Sequence, residues 1–206
     1  MQAWDLSEPA VRPAREADAD HVALLLYKSA AAMYDRFTGG RERAARLLGR
    51  AFETPGNNAS REVVTVAELD GQVAGALAAF PVQETVTRAS AFLKLALRSI
   101  PPWRWPGAMW LYWSGARAVP SPPDSAFYID ALAVEESLRR RGAASSLLNA
   151  AERQARELAM PSIALDTSLD NEPARALYLR AGYDEVAYRP AGRGLPGFVA
   201  LVKRLG

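Results

Sequence analysis

The chain has 206 residues, half of them hydrophobic and 23% charged, which suits a folded protein large enough to bury a real core. Its 25 Lys and Arg against 23 Asp and Glu leave a net charge of only +2, so despite an isoelectric point near 9.0 the bulk charge does not describe a nucleic-acid-coating protein. The lack of Cys excludes disulfides, thiolate metal sites and a cysteine nucleophile, and the lone His21 excludes a multi-histidine metal centre and argues against a Ser-His-Asp triad.

The opening stretch MQAWDLSEPAVRP is polar and broken by proline, unlike a secretory leader, and no apolar run approaches the roughly 20 residues that cross a bilayer. A cytoplasmic chain without a membrane span is expected. Residues 11–14 read as a short first strand. Asp18 or Asp20 offers an N-cap for a helix through residues 22–34, broken at Gly39-Gly40, and a second helix over 41–52 stops at Thr54-Pro55-Gly56. Two β-rich runs, 61–69 and 72–82, are joined by Asp70-Gly71, a strong hairpin signal. Residues 84–122 are irregular: a helical run over 87–99, then a proline-divided stretch holding Trp103, Trp105, Trp110 and Trp113.

Regular patterning returns with a strand at 126–134 and an amphipathic helix at 142–160, where Ala144, Leu147, Leu148, Ala151, Ala155 and Leu158 make one apolar face. A strand at 162–168, a helix at 172–182 ending on glycine, and closing strands at 183–189 and 197–204 complete the chain. The β-α-β crossover from 126–134 to 162–168 requires parallel neighbours, whereas the hairpin is antiparallel. The expected fold class is α/β (α+β): a mixed sheet of six to seven strands, helices on both faces, and a helical insertion between the third and fourth strands.

Arg139-Arg140-Arg141-Gly142 stands at a helix start, where cations oppose the helix dipole. A solvated basic turn would show the same string. The functional alternative is a diphosphate site, because the first N–H groups of a helix have no intrahelical partner and Gly142, Ala143 and Ala144 carry little bulk. The spacing is neither G-x-G-x-x-G nor G-x-x-x-x-G-K-[ST]. Leu132-Ala133-Val134 followed by Arg139-x-x-Gly142-x-Ala144 resembles the acyl-CoA signature of the GNAT N-acetyltransferase superfamily. Asn171-Glu172-Pro173-Ala174-Arg175-Ala176-Leu177-Tyr178-Leu179-Arg180-Ala181-Gly182-Tyr183 is similar to that family's second signature. The specific resemblance covers about 124–190; over 10–83 it rests on element order.

The resemblance implies a GNAT fold over 1–206 and direct acetyl transfer from acetyl-CoA to an amine, most readily the primary amine of a small molecule, through a ternary complex. A protein or peptide acceptor, and a non-catalytic acyl-CoA sensor on the same fold, are the alternatives. It implies that backbone N–H groups around Arg140 to Ser145, assisted by Arg139, Arg140 and Arg141, hold the diphosphate. The pantetheine arm would pair with Leu132 to Val134, where the central parallel strands splay, and an N–H near Ala133 would polarise the thioester carbonyl. Tyr178 is the expected proton donor to the departing thiolate, and Asn171 both caps its helix and touches the cosubstrate. No metal is expected.

Strand alternation places Tyr128, Asp130, Leu132 and Val134 on one face. Asp130, an acid in an apolar strand, is expected to have a raised pKa and to act as base directly or through water; a structural aspartate bonding nearby backbone reads equally well. Asp166 and Glu84 are weaker candidates, and His21 borders the acceptor only in the family picture. The Trp-rich insertion reads as a lid, a homodimer contact or a membrane-surface segment. The first two are favoured, because Lys94, Arg98, Arg104 and Arg117 are sparse for a membrane anchor.

Overall fold

The computed structural model describes residues 8–192 and 194–206; Arg193 and the first seven residues, whose polar sequence is read above against a leader, lie outside the described residues. Seven strands form one sheet in the order β1 (Ala10–Pro13), β2 (Val64–Leu69), β3 (Gln72–Pro81), β4 (Ala126–Val134), β5 (Ser162–Ser168), β7 (Phe198–Arg204), β6 (Asp184–Arg189). Only β4 and β5 are parallel neighbours. Asp70 and Gly71 take φ of 52° and 77°, the left-handed pair that a two-residue hairpin turn requires.

Helices cover both faces, as the patterning predicts. α1 (Ala19–Ser29) and α3 (Arg41–Glu53) bury Val22, Leu25, Leu26, Leu48 and Phe52 against Val64, Val66, Ala76 and Ala78. α6 (Ala143–Glu157) and α7 (Glu172–Arg180) cover the other side, with Leu147, Leu148, Ala151 and Tyr178 against Leu77, Phe127, Ile129 and Leu165. The expected helix over 22–34 is in fact two. Ala30, at φ −147° and ψ 43°, leaves the helical region, and α2 (Ala31–Thr38) starts afresh with Met33 and Tyr34 bonding the Ala30 carbonyl. No Gly or Pro marks that break. The insertion forms α4 (Thr85–Ser99) and α5 (Trp105–Ala118), which pack on α3 and α2.

The turn after α3 is pinned by Asn57, a buried side chain that donates to the carbonyls of Ala51 (2.8 Å) and Thr54 (2.6 Å) and accepts from the Ala59 N–H (2.9 Å). Asn57→Ala leaves those groups unpaired in the interior. It is expected to lower unfolding free energy by about 2 kcal/mol in urea denaturation, with an unchanged slope on denaturant.

Candidate active site

β4 and β5 pair only over Ala126–Ile129 against Ser162–Leu165; beyond that β5 continues with β7 while β4 continues with β3 alone. The two central strands therefore diverge at their C-terminal ends, and a cavity of about 580 Å³ opens in the gap. Its walls include Ile129 to Leu132 from β4, Leu165 to Ser168 from β5, and Asn171, Leu177 and Tyr178 from the start and middle of α7. Ser29 to Met33 close it from the break between α1 and α2. Arg36 and the segment Gly194 to Pro196 close the far side, where the Arg36 guanidinium donates to the Gly194 carbonyl. That connection, across most of the chain, carries no sequence signal.

A bulge sets the geometry of β4. Ala78 faces Ala131 and Ala79 faces Ile129, so Asp130 is the extra residue without a partner in β3. The regular alternation expected for Tyr128, Asp130, Leu132 and Val134 is overturned by it. Leu132 and Val134 pack on the α6 side, whereas Ala131 and Ala133 pack on the α1–α3 side. Asp130 thus points into the cavity mouth instead of extending the apolar row of Leu132. Its side chain is exposed to solvent at that mouth.

Burial first, then the charge of Asp166, push the Asp130 carboxyl up to about 7; a hydrogen bond from Asn58 Nδ2 (3.1 Å) opposes the shift. Burial also raises Asp166, against the pull of the hydrogen bond donated by the Tyr128 hydroxyl. Tyr34 is raised by burial and by the neighbouring Asp130 charge. Asn58 and Tyr34 are residues that the sequence did not point to, and Tyr128 reads there only as a strand neighbour of Asp130 and not as the partner of Asp166. Asn58 reaches Asp130 across 72 positions, and only the Thr54-Pro55-Gly56 turn beside it hinted at a loop.

Tyr178 is buried, its ring 6.0 Å from that of Tyr183, and burial and then the Asp166 charge push its phenol up to about 12. Asn171 caps α7, accepting from the Ala174 N–H at 3.4 Å and donating to Thr167 Oγ1 at 3.2 Å. Asp130, Asp166, Leu132, Asn171 and Tyr178 therefore share one cavity. Glu84 does not: it pairs with Arg88 at 2.6 Å, which also holds Glu62. His21 is exposed on α1 and is absent from the cavity walls. The insertion contributes none of the residues that line this cavity.

The free edge of β4 leads to the arginine turn. The Glu135 N–H donates to Ala74 O at 2.8 Å, and antiparallel alternation then turns the Ala133 groups towards β3 and the Leu132 and Val134 groups towards the gap. In α6 the first N–H with a helical partner is that of Ser146, bonded to Gly142 O at 3.0 Å, so the N–H groups just before it are available to a ligand. Gly142 has φ 88°, and a Cβ there would meet only Pro9 at 3.7 Å; it is the backbone angle that calls for glycine, more than space. Arg141 spends its guanidinium on Asp70 at 2.9 Å, while Arg139 and Arg140 are exposed.

A splayed parallel pair, an open β4 edge and an unpartnered helix start beside arginine match the residue pattern of both signatures. The sequence profile of the Acetyltransferase (GNAT) family matches residues 31–183, well over half of the chain. The chain belongs to the GNAT acetyltransferase family. No curated protein matches it in sequence. Among solved structures, an acetyltransferase superposes with a TM-score of 0.71 at 19% identity, over 96% of this chain and 100% of the other. An N-acetyltransferase from Staphylococcus aureus Mu50 gives 0.72 at 18%, over 94% and 100%. The Drosophila melanogaster polyamine N-acetyltransferase, which forms N-acetylagmatine, gives 0.58 at 15%, over 96% and 100%. At such identities these likenesses speak for the GNAT fold.

Proposed function

We propose that this GNAT protein transfers an acetyl group from acetyl-CoA to the primary amine of a small molecule, in a ternary complex and within the cytoplasm. The observation that carries the reading is the convergence of Asp130, Asp166 and Tyr178 on one cavity at the splayed strands. The residues present fit the cosubstrate. N–H groups of 140 to 145 and the exposed Arg139 and Arg140 offer a diphosphate cradle, and the Leu132 and Val134 backbone offers a strand edge to the pantetheine amides.

On this reading the acceptor amine arrives as an ammonium ion, drawn to the Asp130–Asp166 pair. Asp130 takes its proton, and the neutral nitrogen attacks the thioester carbonyl, whose oxygen is held by the N–H of Leu132. The N–C bond forms as the C–S bond breaks, the Tyr178 hydroxyl donates a hydrogen bond to the sulfur as it leaves as thiolate, and the surplus proton on nitrogen leaves to solvent, from which the thiolate is protonated. A pocket of this size with two carboxylates suits a compact cationic amine better than a peptide chain, and a sensor would need no acid at Tyr178.

Acetyl-CoA is expected to stabilise the protein by about 2.7 kcal/mol at 100 times its Kd, read as a rise in Tm. No rise at millimolar concentration would remove the cosubstrate. A panel of small amines scored by thiol release then tests the acceptor: turnover only with peptides would replace the small-molecule reading, and stabilisation without turnover on any amine would favour the sensor.

A further inference from the structure

The insertion is left without a role by the cavity, and its composition sets it apart. Between Thr85 and Pro123 there is no Asp or Glu, while Arg88, Lys94, Arg98, Arg104 and Arg117 are all cationic. Only Ala96 of α4 and Ala108 and Leu111 of α5 are buried, although both helices are rich in Ala, Leu, Phe, Met and Trp. Trp103 is 80% exposed, Val86 is 74% exposed, and Trp105, Trp110 and Trp113 are exposed as well. On α5, Pro106, Trp110, Trp113 and Arg117 follow helical spacing along one exposed row.

Folding supplies the charge that looked too sparse in the sequence of this segment. α3 packs on α4 and brings Arg43, Arg46 and Arg50 beside Arg98, and these four side chains line a cavity of about 280 Å³ with no acidic residue in its wall. Among the described residues, Glu42 alone comes within ion-pair range of any of the four, 3.9 Å from Arg46. Ile100 and Pro101 complete the wall, and Trp103 follows two residues later. Arg88 and Arg104 are engaged inward, with Glu62 and Glu84 and with the Arg36 carbonyl. The outward charge is therefore Arg43, Arg46, Arg50, Lys94, Arg98 and Arg117.

We propose that this face docks the protein on an anionic lipid surface. Guanidiniums meet headgroup phosphates, and the tryptophans enter the layer between headgroup and acyl chain, where an amphipathic indole is most stable. α5, 14 residues and about 21 Å long, lies in that plane; no described helix is long and apolar enough to cross a membrane. A second copy of the chain fits less well. An isologous contact lays a patch on itself, and six outward cations would find little to answer them on this face beyond Glu42, which already lies 3.9 Å from Arg46. The apolar residues between the cations suit hydrocarbon better than the stacked bases of a nucleic acid.

The test uses the full chain with phosphatidylcholine vesicles, with and without about 30% phosphatidylglycerol. Sedimentation with the anionic vesicles alone, weakened by salt and accompanied by a blue shift of tryptophan emission, is expected. Arg43→Ala/Arg46→Ala/Arg98→Ala is expected to lower partitioning about 100-fold, since each cation near such a surface contributes roughly fivefold. Trp103→Ser/Trp110→Ser/Trp113→Ser is expected to abolish both binding and blue shift. Both variants should keep the wild-type melt, because every altered side chain is exposed. Failure to bind anionic vesicles at low salt overturns the proposal. So does release by inorganic phosphate beyond that by chloride at equal ionic strength, preferential binding of a single-stranded oligonucleotide, or a dimer that the tryptophan variant dissociates while vesicles are ignored.

Discussion

Asp130→Asn is expected to slow acetyl transfer about 100-fold at pH 8 and, at that same pH, to raise the Tm. Both effects have one cause. The carboxyl is pushed up to about 7 by burial and by Asp166, so the folded protein binds this proton more tightly than the unfolded chain does. Any stability the group contributes is present at low pH and is lost as pH rises through about 7, where the fold must hold a carboxylate next to Asp166. Asparagine keeps the shape and removes that cost, so the gain in Tm should vanish near pH 4. The groups that face Asp130 are Asp166, Asn58, Tyr34 and Tyr128, and both phenols stay neutral throughout because their own pKa values are raised.

The rate follows the same titration with the opposite benefit. Wild-type activity is expected to fall as pH drops below about 7, when the base is protonated, and Asp130→Asn should lose that limb. Because Asp130 and Asp166 interact, the limb belongs to the pair, and Asp166→Asn should shift it to lower pH instead of removing it. An unchanged limb in Asp130→Asn would take the base away from this residue. A variant that is slower yet more stable marks a charge kept for chemistry at the expense of the fold.

Much of this was legible in the chain because local rules decide it. Asp70-Gly71 could form only a tight turn, the small residues after Arg141 could pack only as a helix face, and the spacing of Asn171 to Tyr178 placed both on α7. What escaped was set by pairing between distant segments. The bulge at Asp130 exists because β3 and β4 fall out of register between Ala78 and Ala79, and no residue in β4 announces it. The break at Ala30 has no Gly or Pro, since it serves the cavity wall rather than local propensity. Arg141 looked like a phosphate ligand until the hairpin brought Asp70 to it, and Glu84 looked free until α4 supplied Arg88. The cationic face of the insertion was invisible for the same reason: half of its charge belongs to α3.

Tyr178→Phe is expected to reduce kcat about 100-fold while leaving acetyl-CoA binding and Tm nearly unchanged. The ring that packs against Tyr183 is retained, so the loss is confined to one hydroxyl. Pushed up to about 12, that phenol stays protonated across the working range, and its ionisation adds no basic limb to the pH–rate profile. It is also a weaker acid than an ordinary thiol, near 8.5, so handing over its proton to a fully formed thiolate would be uphill. The phenol therefore acts while charge builds on sulfur, as a hydrogen bond to an incipient anion in a place shielded from water. Such a bond is worth roughly 1.5 to 3 kcal/mol, which corresponds to the expected fall in rate. A ground-state contact of equal strength would weaken binding as well; loss of kcat alone is what an interaction made only with developing charge must show. Wild-type turnover in the phenylalanine variant would leave solvent, and not this residue, to stabilise the departing sulfur.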